Sequence, residues 1–188
     1  MEKHLILIRH SLPEIAEDVP AREWKLSDDG RALAHRLAER LRQYQPEVIA
    51  SSVEPKAKET AEIVASKFGI KSQIFEDLHE HGRSGITYLT KEKFQESVRA
   101  FFEKPDLLVF GNESADDCHR RFERAVHSVL DFYAGKRIAI SAHGTVISLF
   151  VSRLMGIPAF PFWSELGLPS FVVLDMNSRS IFAKENIV

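Results

Sequence analysis

The pattern of apolar and polar positions changes period several times along the chain, and each change predicts an element. His4 to Ile8 is a continuous run without polar alternation, as expected of a strand buried on both faces. An irregular segment with Pro13 and Pro20 follows. From Ser27, a good N-cap, Leu33, Leu37 and Leu41 recur at helical spacing until Pro46, and Glu47 to Ser51 is a second short strand. Pro55 suits the first turn of another helix, continued by Ala57, Ala61, Val64 and Phe68 and closed by Gly69. Ser72 to Phe75 is a third strand, whereas Asp77 to Thr90 has no clear period and is expected to be a loop. Helices are predicted over Lys91 to Phe102 and Ser114 to Tyr133, the latter opening on a sequence close to a capping box. Arg137 to Ser141 is an apolar strand, His143-Gly144 turns into an apolar helix through Met155, and Phe171 to Asp175 and Ser180 to Ala183 are terminal strands.

Alternation of strand and helix through most of the chain predicts an α/β fold, a three-layer sandwich with a mainly parallel central sheet and helices on both faces. No repeat, linker or low-complexity tract divides the 188 residues, so one domain is expected over 1–188. The hydrophobic fraction of 44% is ample for a core, and 25 basic against 27 acidic residues leave a net charge of -2. That balance gives no broad basic field for nucleic acid. No apolar stretch reaches membrane-spanning length and none resembles a signal-peptide core, so no membrane association and a cytoplasmic location are expected. Cys118 is the only cysteine. It sits in a helical pattern, where it is expected to pack as a small apolar residue.

In open α/β sheets, ligands gather beyond the carboxyl ends of the strands. Three polar groups fall at such ends: Arg9-His10, Ser51-Ser52 and His143-Gly144. A neutral imidazole is a competent nucleophile toward phosphorus whose oxygens are neutralised, and Arg9 offers a planar fork for those oxygens. These segments resemble the histidine phosphatase (phosphoglycerate-mutase-like) superfamily. LILIRHS is similar to that family's first strand ending in Arg-His-Gly, and Leu26-Ser27-Asp28-Asp29-Gly30 to its Leu-Thr-x-x-Gly helix start. SSVEPKAKETA, from Ser51 to Ala61, resembles its Ser-Ser-Pro-x-x-Arg-Ala-x-x-Thr-Ala stretch. Leu78-His79-Glu80 with Gly82, Asn112-Glu113-Ser114 with Asp117 and Arg121, and SAHGTVI complete the set in family order from Leu5 to Ile147.

The resemblance implies a phosphatase that hydrolyses a phosphomonoester through phosphohistidine at His10. Glu80 would be the proton donor and then the base for water, while Arg9 and His143 hold phosphoryl oxygens. The N–H groups after His143, beginning at Gly144, would face the same anion. Two departures stand out. Lys56 occupies the place of the family's second pocket arginine and cannot give its two-pronged grip. Ser11 replaces a glycine and brings a side chain near the phosphate-binding pocket.

Each residue also has a plainer reading. Lys56 could be a solvated helix residue, and Glu80, between His79 and His81, an ordinary loop residue. Arg121 is expected to brace the loop at Asn112. Phe160, Phe162 and Trp163 could line a substrate mouth or simply pack. No HExxH or comparable spacing is present, so neither a metal nor a cofactor is expected. The expected partner is a small phosphorylated substrate, with a phosphoprotein as a further possibility. Mutase-type phosphoryl transfer and a catalytically weakened phosphate-binding regulatory module are the alternative functions.

Overall fold

In the computed structural model, which describes residues 4–86 and 89–188, six strands form one sheet in the order β3-β2-β4-β1-β5-β6. The strands are β1 (His4–Arg9), β2 (Val48–Ser51), β3 (Ser72–Ile74), β4 (Ile138–Ala142), β5 (Ser170–Asp175) and β6 (Ser180–Asn186). The first four are mutually parallel, and β5 and β6 complete the sheet in antiparallel fashion. β1 is central, between β4 and β5, which explains its unbroken apolar run.

Six α-helices among the described residues cover the sheet: α1 (Asp28–Leu41), α2 (Pro55–Lys67), α3 (Lys91–Glu103), α4 (Ala115–Phe132), α5 (Gly144–Met155) and α6 (Ala159–Glu165). Alternate β1 side chains sort the two layers. Ile6 and Ile8 pack with Leu37 and Leu41 of α1 and Val64 of α2. Leu5 and Leu7 join the opposite core with Phe101 of α3, Phe122 of α4, Phe150 of α5 and Phe162 of α6.

Ser27 and Ser114 cap α1 and α4 through their hydroxyls, accepting from Gly30 N and Asp117 N. Pro55 takes the first turn of α2, where a missing N–H costs nothing. The short helix α6 was not expected from the sequence, which reads Phe160, Phe162 and Trp163 only as a substrate mouth or packing residues. Pro161 lies in its first turn, whose N–H groups have no intrahelical acceptor, so the ring is tolerated there. Between β3 and α3 the described residues form no helix or strand, in keeping with the expected loop, of which Thr87 and Tyr88 lie outside the described residues. No helix among the described residues is long and apolar enough to cross a membrane. Cys118 is buried, and burial pushes its thiol pKa up, so it packs rather than reacts.

Candidate active site

The ends of β1 and β4 bring two histidines together. Parallel register sets Arg9 beside Ala142, and His10 N–H donates to the Ala142 carbonyl at 3.0 Å. The next residues on both strands therefore leave the sheet side by side, and the His10 and His143 ring centroids lie 5.1 Å apart. Both rings are buried. His10 Nδ1 lies 2.7 Å from the Ser11 carbonyl, an acceptor only, so Nδ1 carries the hydrogen and Nε2 keeps the lone pair. Burial, aided by His143 and Lys56 nearby, holds His10 well below the ordinary histidine range. Burial and Lys56 do the same to His143, against the opposing pull of Glu80. Both are neutral at pH 7, as a nitrogen nucleophile requires.

His143 Nε2 is 2.9 Å from Ser52 Oγ, which also accepts from Glu54 N–H at 3.2 Å. The hydrogen of the Ser52 hydroxyl meets no other acceptor among the described residues, so it donates to Nε2, which places the hydrogen of His143 on Nδ1. That nitrogen is buried and has no partner among the described residues.

Arg9 is half-buried, and the loss of solvent around its guanidinium lowers its pKa to about 10 and leaves it charged at pH 7. One guanidinium nitrogen donates to the Leu166 carbonyl just past α6, while Nε is buried without a partner among the described residues. Gly144 makes this arrangement possible. A Cβ there would sit 3.0 Å from Arg9 Nε and 3.3 Å from Trp163 Nε1, tighter than ordinary contact.

Lys56 is 5% exposed, so it is not a solvated helix residue. Its ammonium donates to the Ala21 carbonyl at 2.7 Å and to Glu54 Oε2 at 2.5 Å. Sequence reasoning passed over Glu54. As the residue before α2 it sits where a capping side chain is common, yet its carboxylate caps nothing. It turns into the site instead, accepts from Glu80 N–H at 2.8 Å and lies 3.6 Å from His143 Nε2.

Ser11 lies beside the pocket but spends both donors on the scaffold, N–H on Thr60 Oγ1 at 3.0 Å and Oγ on the Gly30 carbonyl at 2.6 Å. It ties β1 to α1 and α2. No phosphate-facing donor of Ser11 remains.

Glu80 enters from the loop after β3. One carboxylate oxygen accepts from His81 N–H at 2.9 Å and the other from Thr145 N–H at 3.2 Å, in the first turn of α5. Burial pushes this carboxyl pKa up, but Arg83, His143 and the His81 N–H outweigh it, and the net shift is downward. Arg83, a second residue that sequence reasoning missed, stands 3.6 Å from Glu80 and 5.0 Å over the Phe94 ring.

The loop itself is held from behind. Arg121 of α4 donates to the carbonyls of Asp77, His79 and Glu80 and pairs with both oxygens of Glu113. Glu113 in turn accepts from Gly82 N–H at 2.9 Å. Arg121 thus braces the Glu80 loop as well as the Asn112 turn. Among the described residues, no group of three histidine, cysteine or acidic side chains is placed to hold a metal ion.

A family model described as histidine phosphatase superfamily, branch 1, matches residues 5–185. The chain belongs to that superfamily. An Arabidopsis thaliana protein named phosphoglycerate mutase-like protein 4 is 32% identical over 137 residues, covering 69% of this chain and 60% of the relative. A probable phosphoglycerate mutase of Salmonella paratyphi A is 29% identical over 145 residues, covering 74% and 66%. The matches thus span about three fifths to two thirds of these curated relatives. Among solved structures, an Entamoeba histolytica phosphoserine phosphatase in complex with 3-phosphoglyceric acid superposes with a TM-score of 0.79 at 18% identity. It covers 97% of this chain and 96% of that one. At that identity the likeness concerns the fold.

Proposed function

We propose that this histidine phosphatase hydrolyses a phosphomonoester through a phosphohistidine on His10. One observation carries the reading: Arg9 Nε, and His143 Nδ1 on the ring 5.1 Å from that of His10, are buried and have no partner among the described residues. Buried donors are rarely left unpaired, and a phosphoryl group offers oxygens to both. His10 Nε2 attacks phosphorus, the bond to the leaving oxygen breaks, and that oxygen takes a proton from Glu80. A water then attacks phosphorus, Glu80 accepts its proton, and the N–P bond breaks to free His10 and release phosphate. Gly144 and the N-terminal turn of α5 lend positive potential to the anion.

The leaving group has a place to lie. A groove of about 240 Å³ between α3 and α6 is lined by Arg9, Lys91, Phe94, Gln95, Trp163 and Leu166. Basic ends with aromatic walls suit a small organic phosphate carrying an apolar or acidic portion. The names of the curated relatives favour a second reading, mutase-type transfer between hydroxyls of a phosphoglycerate. Product analysis with a phosphoglycerate separates free phosphate from an isomer.

The test of the main reading is to quench turnover of a labelled phosphomonoester without acid. A base-stable, acid-labile phosphoryl group should appear on the wild-type protein and be absent from His10→Ala. Label on a serine or on Cys118 overturns the proposal.

A further inference from the structure

Glu54 is a buried carboxylate inside the phosphate pocket for which the mechanism above has no use. Its side chain is 8% exposed and that of Lys56 is 7% exposed, so water contributes little to either charge. The charged and titratable groups around it can be counted. Arg9 comes from β1 and His10 from just past its end, Lys56 from α2, His143 from the β4–α5 junction, and His79, Glu80 and Arg83 from the loop. Farther out, Arg121 pairs with Glu113 and Asp77 is exposed to water, so these three add no buried net charge. His10 and His143 are neutral, and His79 is lowered as well, chiefly by burial and then by Arg121. Three cations therefore face two carboxylates, leaving one net positive charge. A phosphoryl monoanion cancels that charge. A dianion leaves a buried negative charge uncompensated, which is costly at low dielectric.

We propose that Glu54 is a specificity-determining residue: it sets the pocket's charge so that the phosphoryl group is taken up as the monoanion, with one proton, in preference to the dianion. The inference rests on the phosphate-pocket reading above and extends it. It also supplies the proton the mechanism needs. In the free site Glu80 is ionised at neutral pH, and a monoanionic ester brings its own P–OH. That proton passes to Glu80 and on to the leaving oxygen. The P–O bond breaks as the N–P bond forms, and a neutral imidazole and ROPO₃H⁻ give ROH and an imidazolium phosphoramidate with the same total charge.

The probe is inorganic phosphate, its Kd measured by calorimetry between about pH 6 and 8.5, a range that brackets loss of the second phosphate proton. For the wild type, Kd should rise about tenfold per pH unit above that ionisation, the slope of one linked proton. Glu54→Gln adds one positive charge; it should flatten the slope to roughly threefold per unit or less and bind at least about tenfold more tightly at pH 8.5. Glu54→Gln/Lys56→Gln removes one charge of each sign and should regain the wild-type slope. Lys56→Gln alone should weaken binding across the range, so the series does not hang on one variant folding. A wild-type slope in Glu54→Gln, or weaker binding at pH 8.5, overturns the inference while leaving His10 chemistry intact. Absence of phosphate binding in both wild type and Glu54→Gln overturns the pocket reading along with it.

Discussion

The two halves of the site are built by different means. Arg9, His10 and His143 project from neighbouring strands whose spacing is fixed by main-chain hydrogen bonds, including that from His10 N–H to Ala142. Glu80 and Arg83 ride on a loop without regular structure, and the loop is shaped by one guanidinium, Arg121, reaching three of its carbonyls. Damage to the strand-end half should remove the chemistry and spare the fold. Damage to the brace should spare the reacting groups and misplace one of them.

The largest expected effect tests the loop half directly. Glu80→Gln should lower kcat/KM by roughly 10²–10⁴ for an alkyl phosphate, whose leaving oxygen needs a proton. A nitrophenyl ester departs without one and should lose at least about tenfold less, a difference of about 1.4 kcal/mol. Equal losses for both esters, measured in kcat/KM, would mean that Glu80 is not the acid and that the two halves are not divided as described.

Next in size is the brace. Arg121→Ala leaves the largely buried Glu113 carboxylate and three loop carbonyls without their donor. A stability loss of roughly 3 kcal/mol is expected, read as the shift in urea midpoint. Turnover should fall with alkyl esters more than with aryl ones, because only the acid is displaced. Loss of phosphoenzyme formation with aryl esters in protein that remains folded would show that the brace also governs the nucleophile.

The smallest effect is a pH dependence of stability from His81, which packs 4.1 Å from the Phe101 ring centroid. Burial, and after it Arg83, lowers its pKa to about 4 from an ordinary 6.5. The unfolded chain therefore binds the proton first as pH falls. Its contribution is complete above pH 6.5 and is lost progressively toward pH 4. Between about pH 7 and 5 the loss should be up to about 2 kcal/mol. His81→Gln should lose correspondingly less in urea unfolding at the two pH values. An unchanged difference would place the acid sensitivity in the strand-end histidines, which titrate in the same direction.

The same division explains what the sequence makes legible. Leu5 to Ile8, the caps at Ser27 and Ser114, and Pro55 each announce an element through local chemistry, and strand ends locate His10 and His143. Glu54 has no such signal, since an acidic residue before a helix reads as a capping group; only tertiary packing turns it inward. Arg83 is equally silent, because its partners Glu80 and Phe94 meet it through the path of the loop. Lys56 could be placed by its position in a motif, but not its pairing with Glu54.

The strand order has a consequence for how the protein comes into being. The two neighbours of β1 are β4 and β5, more than a hundred residues later in the chain. During synthesis at about 5–20 residues per second, Leu5 to Ile8 wait several seconds with bare backbone edges before a native partner exists. His10, the proposed nucleophile, is thus made well before the strand that positions its main chain. Such late closure slows folding and exposes an aggregation-prone segment, the kind of nascent chain on which holding chaperones act.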